Sequence, residues 1–126
     1  MSRRILVVDD EPAIARLVKM SLQVGGYEVR TVTSGFEALE AVEELRPDLI
    51  VLDIMMPGMN GYEVCMELKS KPQTRGIKLM FLSAKGGAGD AQKGLAAGGD
   101  DYVIKPFDPE ELLDKVRLLI GSGTAV

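Results

Sequence analysis

The chain has 126 residues, a length that suits one domain with a single hydrophobic core. It contains no histidine, which excludes hydrolases with a histidine base, histidine-ligated zinc and a histidine phosphodonor. Its net charge of −4 and pI near 4.9 argue against nucleic-acid binding by this domain. A single cysteine, Cys65, allows no internal disulfide, and residues 1–10 resemble neither a signal peptide nor a membrane anchor. We therefore expect a cytoplasmic protein without a membrane partner.

Short apolar segments alternate with segments of helical period along the chain. This pattern predicts repeated βα units and a parallel sheet. The first, third and fourth strands are almost wholly apolar, as strands covered on both faces must be. The expected strands, in chain order, are Arg4–Val8, Tyr27–Val32, Asp48–Leu52, Ile77–Leu82 and Asp101–Ile104.

Helix boundaries follow from capping residues and prolines. Ser34 is expected to cap the second helix, because Glu37 three residues later gives the spacing of a capping box. Pro47 ends that helix. Residues 86–99 contain six glycines, so a fourth helix there should be marginal. The first, third and fifth helices are expected to begin at Pro12, after Asn60 and after Asp108.

The chain is expected to form one domain over residues 1–120. Gly121–Val126 is expected to be a flexible tail or the beginning of a linker. No DNA-binding or catalytic segment is recognisable beyond the domain. We therefore expect either a stand-alone domain or a fragment of a larger regulator.

Carboxylates follow two of the apolar strands. Asp9 and Asp10 come directly after the first strand, and Asp53 directly after the third. If these strands are neighbours in a parallel sheet, their carboxyl ends open into one crevice. Three negative charges there repel one another unless a cation lies among them, and Mg²⁺ prefers oxygen ligands of this kind. The sequence therefore predicts a metal site at Asp9, Asp10 and Asp53.

Four segments resemble the receiver domains of two-component response regulators. They are VVDDEP at residues 7–12, DIMMPGMNG at 53–61, LSA at 82–84 and YVIKPF at 102–107. Their order and spacing make the resemblance specific, and it spans roughly residues 3–120. It implies a single three-layer, doubly wound α/β domain of the flavodoxin-like type, with a parallel sheet of order 2-1-3-4-5 and five helices.

The resemblance also implies a chemistry for the crevice. Asp53 would accept a phosphoryl group from a sensor histidine kinase or a histidine phosphotransfer protein, in a reaction that depends on Mg²⁺ or Mn²⁺. The domain would catalyse only its own phosphorylation and dephosphorylation, and would not be an enzyme with an external substrate. The implied site comprises Asp9, Asp10, Asp53 and the Met55 carbonyl for the metal, with Ser83 and Lys105 on the phosphoryl oxygens.

Five further expectations concern control and output. Met55 and Lys85 follow Asp53 and Ser83 by two positions, and such positions tune the lifetime of the phosphoryl group in receivers generally. Ser83 and Tyr102 are expected to move together as a switch. The output face would be formed by the fourth helix, fifth strand and fifth helix. The same face would allow a monomer to form a weak dimer. The downstream partner is expected to be a protein.

Other readings of these residues exist. An aspartyl-phosphate hydrolase of the haloacid dehalogenase type needs an acid-base aspartate where Met55 stands. A flavodoxin-like cofactor site needs a glycine, serine or threonine loop where Asp9, Asp10 and Glu11 would repel phosphate. A pseudo-receiver that acts only as a protein-binding scaffold would be expected to lack part of the acidic set, the hydroxyl or the lysine. The sequence retains all of them, which favours the phosphorylated switch.

Overall fold

A single parallel sheet forms the centre of the fold. The computed structural model of the chain describes residues 3–84 and 88–123. The strands lie in the order β2-β1-β3-β4-β5, so the predicted order and fold class are confirmed. The strands are β1 (Arg4–Val8), β2 (Glu28–Val32), β3 (Leu49–Asp53), β4 (Lys78–Ser83) and β5 (Asp101–Ile104).

Five helices cover the two faces of the sheet. They are α1 (Pro12–Val24), α2 (Gly35–Leu45), α3 (Gly61–Lys69), α4 (Ala88–Ala96) and α5 (Pro109–Ile120). Alternate residues of each strand feed two separate cores, as the two-residue period of a strand requires. One core packs beneath α2 and α3, and the other beneath α1 and α5. Every residue of the central strand β3 is buried. Within the described ranges, no helix is both long and apolar enough to span a bilayer.

Three strands differ by one residue from their predicted bounds. β2 begins at Glu28 instead of Tyr27, and β3 and β4 each begin and end one residue later than predicted. The amide of Asp48 donates to the Arg4 carbonyl, and Asp48 itself precedes the ladder. Asp53 pairs with Leu82 instead of following the strand. The carboxylate is therefore attached to a hydrogen-bonded strand end.

The helix caps agree with the sequence except at α2. Asn60 and Glu63 form a full capping box at α3, and Asp108 accepts from the amide of Glu110 at α5. At α2 the Ser34 hydroxyl accepts from the Glu37 amide, but the reciprocal half of the predicted box is wrong. The Glu37 carboxylate accepts instead from the amide and hydroxyl of Thr33, at 3.0 and 2.8 Å, because Thr33 offers two donors.

The described part of the tail lies against the turn between α1 and β2. The Tyr27 hydroxyl donates to the Gly121 carbonyl at 2.6 Å, and the Arg3 amide donates to the Gly123 carbonyl at 2.9 Å. A Cβ atom on Gly123 would collide with the carbonyl oxygen of Gly25. Residues 121–123 thus make specific contacts. The expected flexibility of residues 124–126 concerns positions outside the described ranges.

Candidate functional site

The site lies at the carboxyl edge of the sheet, where four strands end. Asp53 and Ser83 are the last residues of β3 and β4. Asp9 and Asp10 directly follow β1, and Lys105 directly follows β5. Because β1, β3, β4 and β5 are successive neighbours in a parallel sheet, their ends bring these side chains to one edge.

Three carboxylates cluster at this edge. One oxygen from each of Asp9, Asp10 and Asp53 lies within 4.8 Å of the other two. Asp9 is fully buried and Asp53 is 5% exposed, while Asp10 is the most exposed of the three. The structure therefore brings together the acidic residues that the sequence predicted to meet.

One ammonium group faces this cluster. Lys105 Nζ lies 3.2 Å from Asp9 Oδ2 and 3.4 Å from Asp53 Oδ1. Burial lowers the pKa of Lys105, but the charges of Asp53 and Asp9 outweigh it and hold the pKa above its usual value. The peptide bond between Lys105 and Pro106 is cis. Lys105 therefore carries its positive charge in ion pairs with both Asp9 and Asp53.

The single positive charge of Lys105 does not neutralise the three carboxylates. Burial, followed by the charge of Asp9, raises the pKa of Asp53 to about 7 against the opposing effect of Lys105. Asp9 Oδ1 accepts from the Glu11 amide at 2.9 Å. Among the described residues, Asp9 Oδ2 is the buried side-chain oxygen that accepts no hydrogen bond, although the Lys105 ammonium is near. A buried carboxylate oxygen that makes an ion pair but accepts no hydrogen bond, within a set of three carboxylates, fits a hard divalent cation.

The hydroxyl and the aromatic residue of the expected switch lie on β4 and β5. Ser83 is 1% exposed, and its hydroxyl makes a long contact of 3.5 Å with the Ala84 carbonyl. Tyr102 is half-buried. Lys115 of α5 lies 5.0 Å from the centre of the Tyr102 ring and donates to the Tyr102 carbonyl at 2.7 Å.

Sequence reasoning did not identify Lys115. The available signal was its place next to the buried Val116 on the face of α5 that meets the sheet. A shallow cleft of about 480 Å³ opens beside it, and its lining residues include Tyr102, Ile104 and Glu111. The cleft therefore lies on the predicted output face.

Of the two residues expected to tune the phosphoryl lifetime, one lies among the described residues. Met55 follows β3 in the loop that leads to α3, and its side chain is 69% exposed between the buried Ile54 and Met56. Lys85 lies outside the described residues. The prediction about the pair stays a prediction.

Comparison with known proteins gives one consistent family. Residues 5–117 match the response regulator receiver domain. The DNA-binding response regulator MtrA of Mycolicibacterium smegmatis is 46% identical over 117 residues, which are 93% of this chain and 50% of that protein. The phosphate regulon transcriptional regulatory protein PhoB of Rhizobium meliloti is 40% identical over 120 residues, which are 95% of this chain and 53% of that protein. The chain thus spans about half the length of the curated relatives it matches.

Solved structures agree with the sequence relatives. A crystal structure from Chloroflexus aurantiacus J-10-fl, assigned there as a response regulator, has a TM-score of 0.92 at 34% identity and covers 95% of this chain and 98% of its own. The chemotaxis protein CheY4 of Vibrio cholerae has a TM-score of 0.87 at 33% identity, with coverages of 94% and 99%. The fold and the sequence therefore lead to the same family.

Proposed function

The chain belongs to the response regulator receiver domains, and on that premise we propose that it is a signalling switch controlled by phosphorylation of Asp53. Receiver domains are signalling domains and not enzymes acting on an external substrate. The observation that carries the proposal is the position of Asp53. It ends the central strand inside an acidic cluster, with the Lys105 ammonium 3.4 Å away.

The proposed transfer starts from a phosphohistidine on a sensor histidine kinase or a histidine phosphotransfer protein. A carboxylate oxygen of Asp53 attacks phosphorus, the phosphorus–nitrogen bond breaks, and the imidazole leaves as an acyl phosphate forms. Asp53 must be ionised to attack. Because burial and Asp9 raise the pKa of Asp53, its ionised form needs stabilisation. The Lys105 ammonium supplies part of it, since its positive charge lowers the pKa of Asp53.

The carboxylates of Asp9, Asp10 and Asp53, with the Met55 carbonyl, would hold Mg²⁺ or Mn²⁺. When bound, such an ion supplies the positive charge that offsets three carboxylates and an incoming phosphoryl group. Lys105 and the Ser83 hydroxyl would donate to phosphoryl oxygens, since phosphoryl transfer depends mainly on positioning and charge neutralisation. The weakly engaged Ser83 hydroxyl is free to rotate toward such an acceptor.

The domain would remove its own phosphoryl group by hydrolysis, at a rate set partly by Met55 and Lys85. The exposed Met55 side chain follows Asp53 by two positions and would hinder the attacking water. Met55→Asn combined with Lys85→Glu should therefore shorten the lifetime of the phosphoprotein. An unchanged lifetime would contradict shielding at these positions.

Output would pass through the face formed by α4, β5 and α5 to a downstream protein partner. Relatives such as MtrA are named as DNA-binding regulators, while the acidic character of this domain does not suit direct DNA contact. The scaffold alternative is not favoured, because the acidic set, the hydroxyl and the lysine all meet at one edge of the sheet.

Labelling with acetyl phosphate and intact mass spectrometry test the acceptor. The wild-type chain should gain one phosphoryl mass when Mg²⁺ is present and none in excess chelator. Asp53→Asn should not be labelled, whereas Asp114→Asn, a matched change at an exposed α5 residue, should label normally. Equal labelling of Asp53→Asn and wild type would sink the proposal.

Hydrogen exchange tests the output face. Addition of the phosphoryl mimic beryllofluoride with Mg²⁺ should change protection mainly in residues 84–105. Changes restricted to the loops around Asp10 and Asp53 would instead show that the signal stays at the acceptor.

A further inference from the structure

The loop between β3 and α3 joins the phosphoacceptor to the metal site. It runs over residues 54–60, directly after Asp53, and carries Met55. Its first residue is anchored twice, since the Ile54 amide donates to the Leu82 carbonyl at 3.3 Å and the Ile54 carbonyl accepts from the Gly61 amide at 2.9 Å. Movement of this loop would therefore shift both the acceptor backbone and the Met55 carbonyl.

A glycine at the start of α3 lies against the acceptor backbone. A Cβ atom on Gly61 would lie 2.5 Å from the Asp53 carbonyl oxygen and 2.9 Å from Ile54 Cα. Both neighbours are backbone atoms, so a larger residue would have to displace the chain itself. The first turn of α3 can approach Asp53 this closely only because residue 61 has no side chain.

A second glycine supports the loop from α2. A Cβ atom on Gly35 would lie 2.9 Å from Met59 Cβ and 2.9 Å from Val64 Cγ2. One residue further along α2, the Phe36 ring lies beside Gly58, where an added Cβ would be 3.4 Å away. The first turn of α2 is therefore in direct contact with the loop, at the end opposite its Ile54 anchors.

We propose that Gly35 is a positioning residue for the metal site. By leaving room for Met59, it allows the loop to hold the Met55 carbonyl where it completes the oxygen set of Asp9, Asp10 and Asp53. This inference rests on the proposed function and deepens it. Gly61 leaves similar room between α3 and the backbone of Asp53 and Ile54, but its backbone contacts make its substitution a poor test.

Titration of the unphosphorylated full chain with Mg²⁺ by isothermal calorimetry tests the inference. Gly35→Ala should weaken Mg²⁺ binding about tenfold, the lower end of what outer-shell changes cause at metal sites. Alanine is a better helix former than glycine, so a weakened helix cannot explain that loss. At saturating Mg²⁺, labelling of Asp53 by acetyl phosphate should approach the wild-type rate, because the change acts on metal affinity.

Two other glycines give matched controls. A Cβ on Gly25 would lie 2.7 Å from Leu113 Cδ2 on the opposite face of the sheet, and a Cβ on Gly76 would meet nothing within 4 Å. Gly25→Ala therefore imposes similar crowding away from the loop, and Gly76→Ala imposes none. Both should bind Mg²⁺ like wild type.

A double-mutant cycle keeps the test decisive if Gly35→Ala is poorly folded. Met59→Gly removes both Met59 atoms that a Cβ on residue 35 would crowd, Cβ at 2.9 Å and Cγ at 3.0 Å, and should itself weaken Mg²⁺ binding. The double variant should then bind Mg²⁺ more tightly than the product of the two single effects predicts. Full additivity in the cycle would overturn the inference.

Three further results would also overturn it. They are Mg²⁺ affinity of Gly35→Ala within about twofold of wild type, equal weakening by Gly25→Ala, and wild-type protein that binds no Mg²⁺. Failure of the proposed function has a different signature. In that case Mg²⁺ binding would respond to Gly35→Ala as expected, but acetyl phosphate would not label Asp53.

Discussion

Helices α3 and α4 have the same length of nine residues and both contact Phe81 of β4, but they pack on the domain in different ways. α3 begins with a complete capping box and buries the side chains of Val64, Cys65 and Leu68. α4 approaches the sheet where a side chain is missing, because a Cβ on Gly94 would lie 2.6 Å from the Phe81 ring. The stability of α3 is thus distributed over several buried side chains. In α4, among residues 92–96, whose burial is described, Gly94 is the buried position and it packs on the Phe81 ring.

The two helices are joined mainly near their carboxyl ends. The Cys65 thiol donates to the Ala97 carbonyl at 3.4 Å, and Lys69 Nζ lies 3.7 Å from Asp100 Oδ2. Lys69 also donates to the carbonyls of Arg75 and Ile77. These contacts fix the segment that follows α4. The beginning of α4, closer to the acceptor site, is therefore the end that we expect to shift.

Of the variants proposed, Phe81→Ala should reduce stability most and should affect α4 more than α3. Loss of a buried phenylalanine costs about 3–5 kcal/mol, and here it also removes the surface on which α4 rests. The Tyr62 ring of α3 also meets the Phe81 ring, at a centroid distance of 5.8 Å, but α3 has its own buried side chains. Urea unfolding should show the loss, and hydrogen exchange should rise more in α4 than in α3.

Leu22→Ala in the opposite core is the control for this prediction. It should lower stability by about 2–5 kcal/mol without a selective rise of exchange in α4. If Phe81→Ala raises exchange equally in α3 and α4, the dependence of α4 on the ring is disproved.

The Cys65 thiol should make the α3–α4 contact sensitive to high pH. Burial raises the pKa of Cys65 to about 11, so folding favours the neutral thiol. The resulting stabilisation is complete below the pKa of the unfolded thiol and is lost as the pH rises through the folded value. The free energy of unfolding should therefore fall by up to about 2 kcal/mol between pH 9 and 11.

Cys65→Ala separates this effect from other titrating groups. Its unfolding free energy should lack this part of the decrease, so the difference between the two proteins carries the signal. Urea titrations at several pH values in reducing buffer measure that difference. Parallel pH profiles for wild type and Cys65→Ala would rule out a contribution from the thiol.

The strands were predictable from short-range patterns, and the acidic crevice was predictable once the family resemblance supplied the strand order. Apolar segments that end in Asp9 or Asp53 indicate both a buried strand and the edge at which its carboxylate lies. The packing of α4 against Phe81 was not predictable. Six glycines in residues 86–99 indicate only a marginal helix, since glycine has no side chain from which a partner such as Phe81 could be inferred.

Contacts across elements were missed for a related reason. The position of Lys115 above the Tyr102 ring and the fit of Gly35 against Met59 depend on how helices pack on the sheet. Neither the hydrophobic period of a helix nor its capping residues indicate such a pair. The alternative partner of the Glu37 carboxylate was also hidden, because the capping box spacing considers only Ser34.

Gly94→Ala tests whether close approach or helix propensity decides the stability of α4. Alanine favours a helix interior by about 1 kcal/mol over glycine, whereas crowding a packed core costs about 1–3 kcal/mol. The Cβ at 2.6 Å from the fully buried Phe81 ring should make crowding the larger effect. We expect a net loss of about 1 kcal/mol in urea unfolding.

Combination with Phe81→Leu provides the control for Gly94→Ala. The smaller side chain leaves room for the new methyl group, so Gly94→Ala should be neutral or stabilising in that background. If Gly94→Ala stabilises the wild-type protein, α4 does not depend on the absence of a side chain at this position.

The smallest expected effect concerns the cap of α3. Asn60 Oδ1 accepts from the Glu63 amide at 3.0 Å, and the Glu63 carboxylate accepts from the Asn60 amide at 3.1 Å. Asn60→Ala removes the first of these bonds and should cost about 1 kcal/mol. Asn60→Asp retains an acceptor at the helix amino terminus, where negative charge is favoured, and should stay close to wild type.

Hydrogen exchange shows which residues are destabilised in Asn60→Ala. In Asn60→Ala, exchange should rise in the first turn of α3, while α4 keeps its protection because its support by Phe81 is unchanged. Buried Val64, Cys65 and Leu68 should preserve the rest of α3. Equal loss of protection along α3 and α4 would mean that the two helices open as one unit, and their different modes of packing would then not produce independent stability.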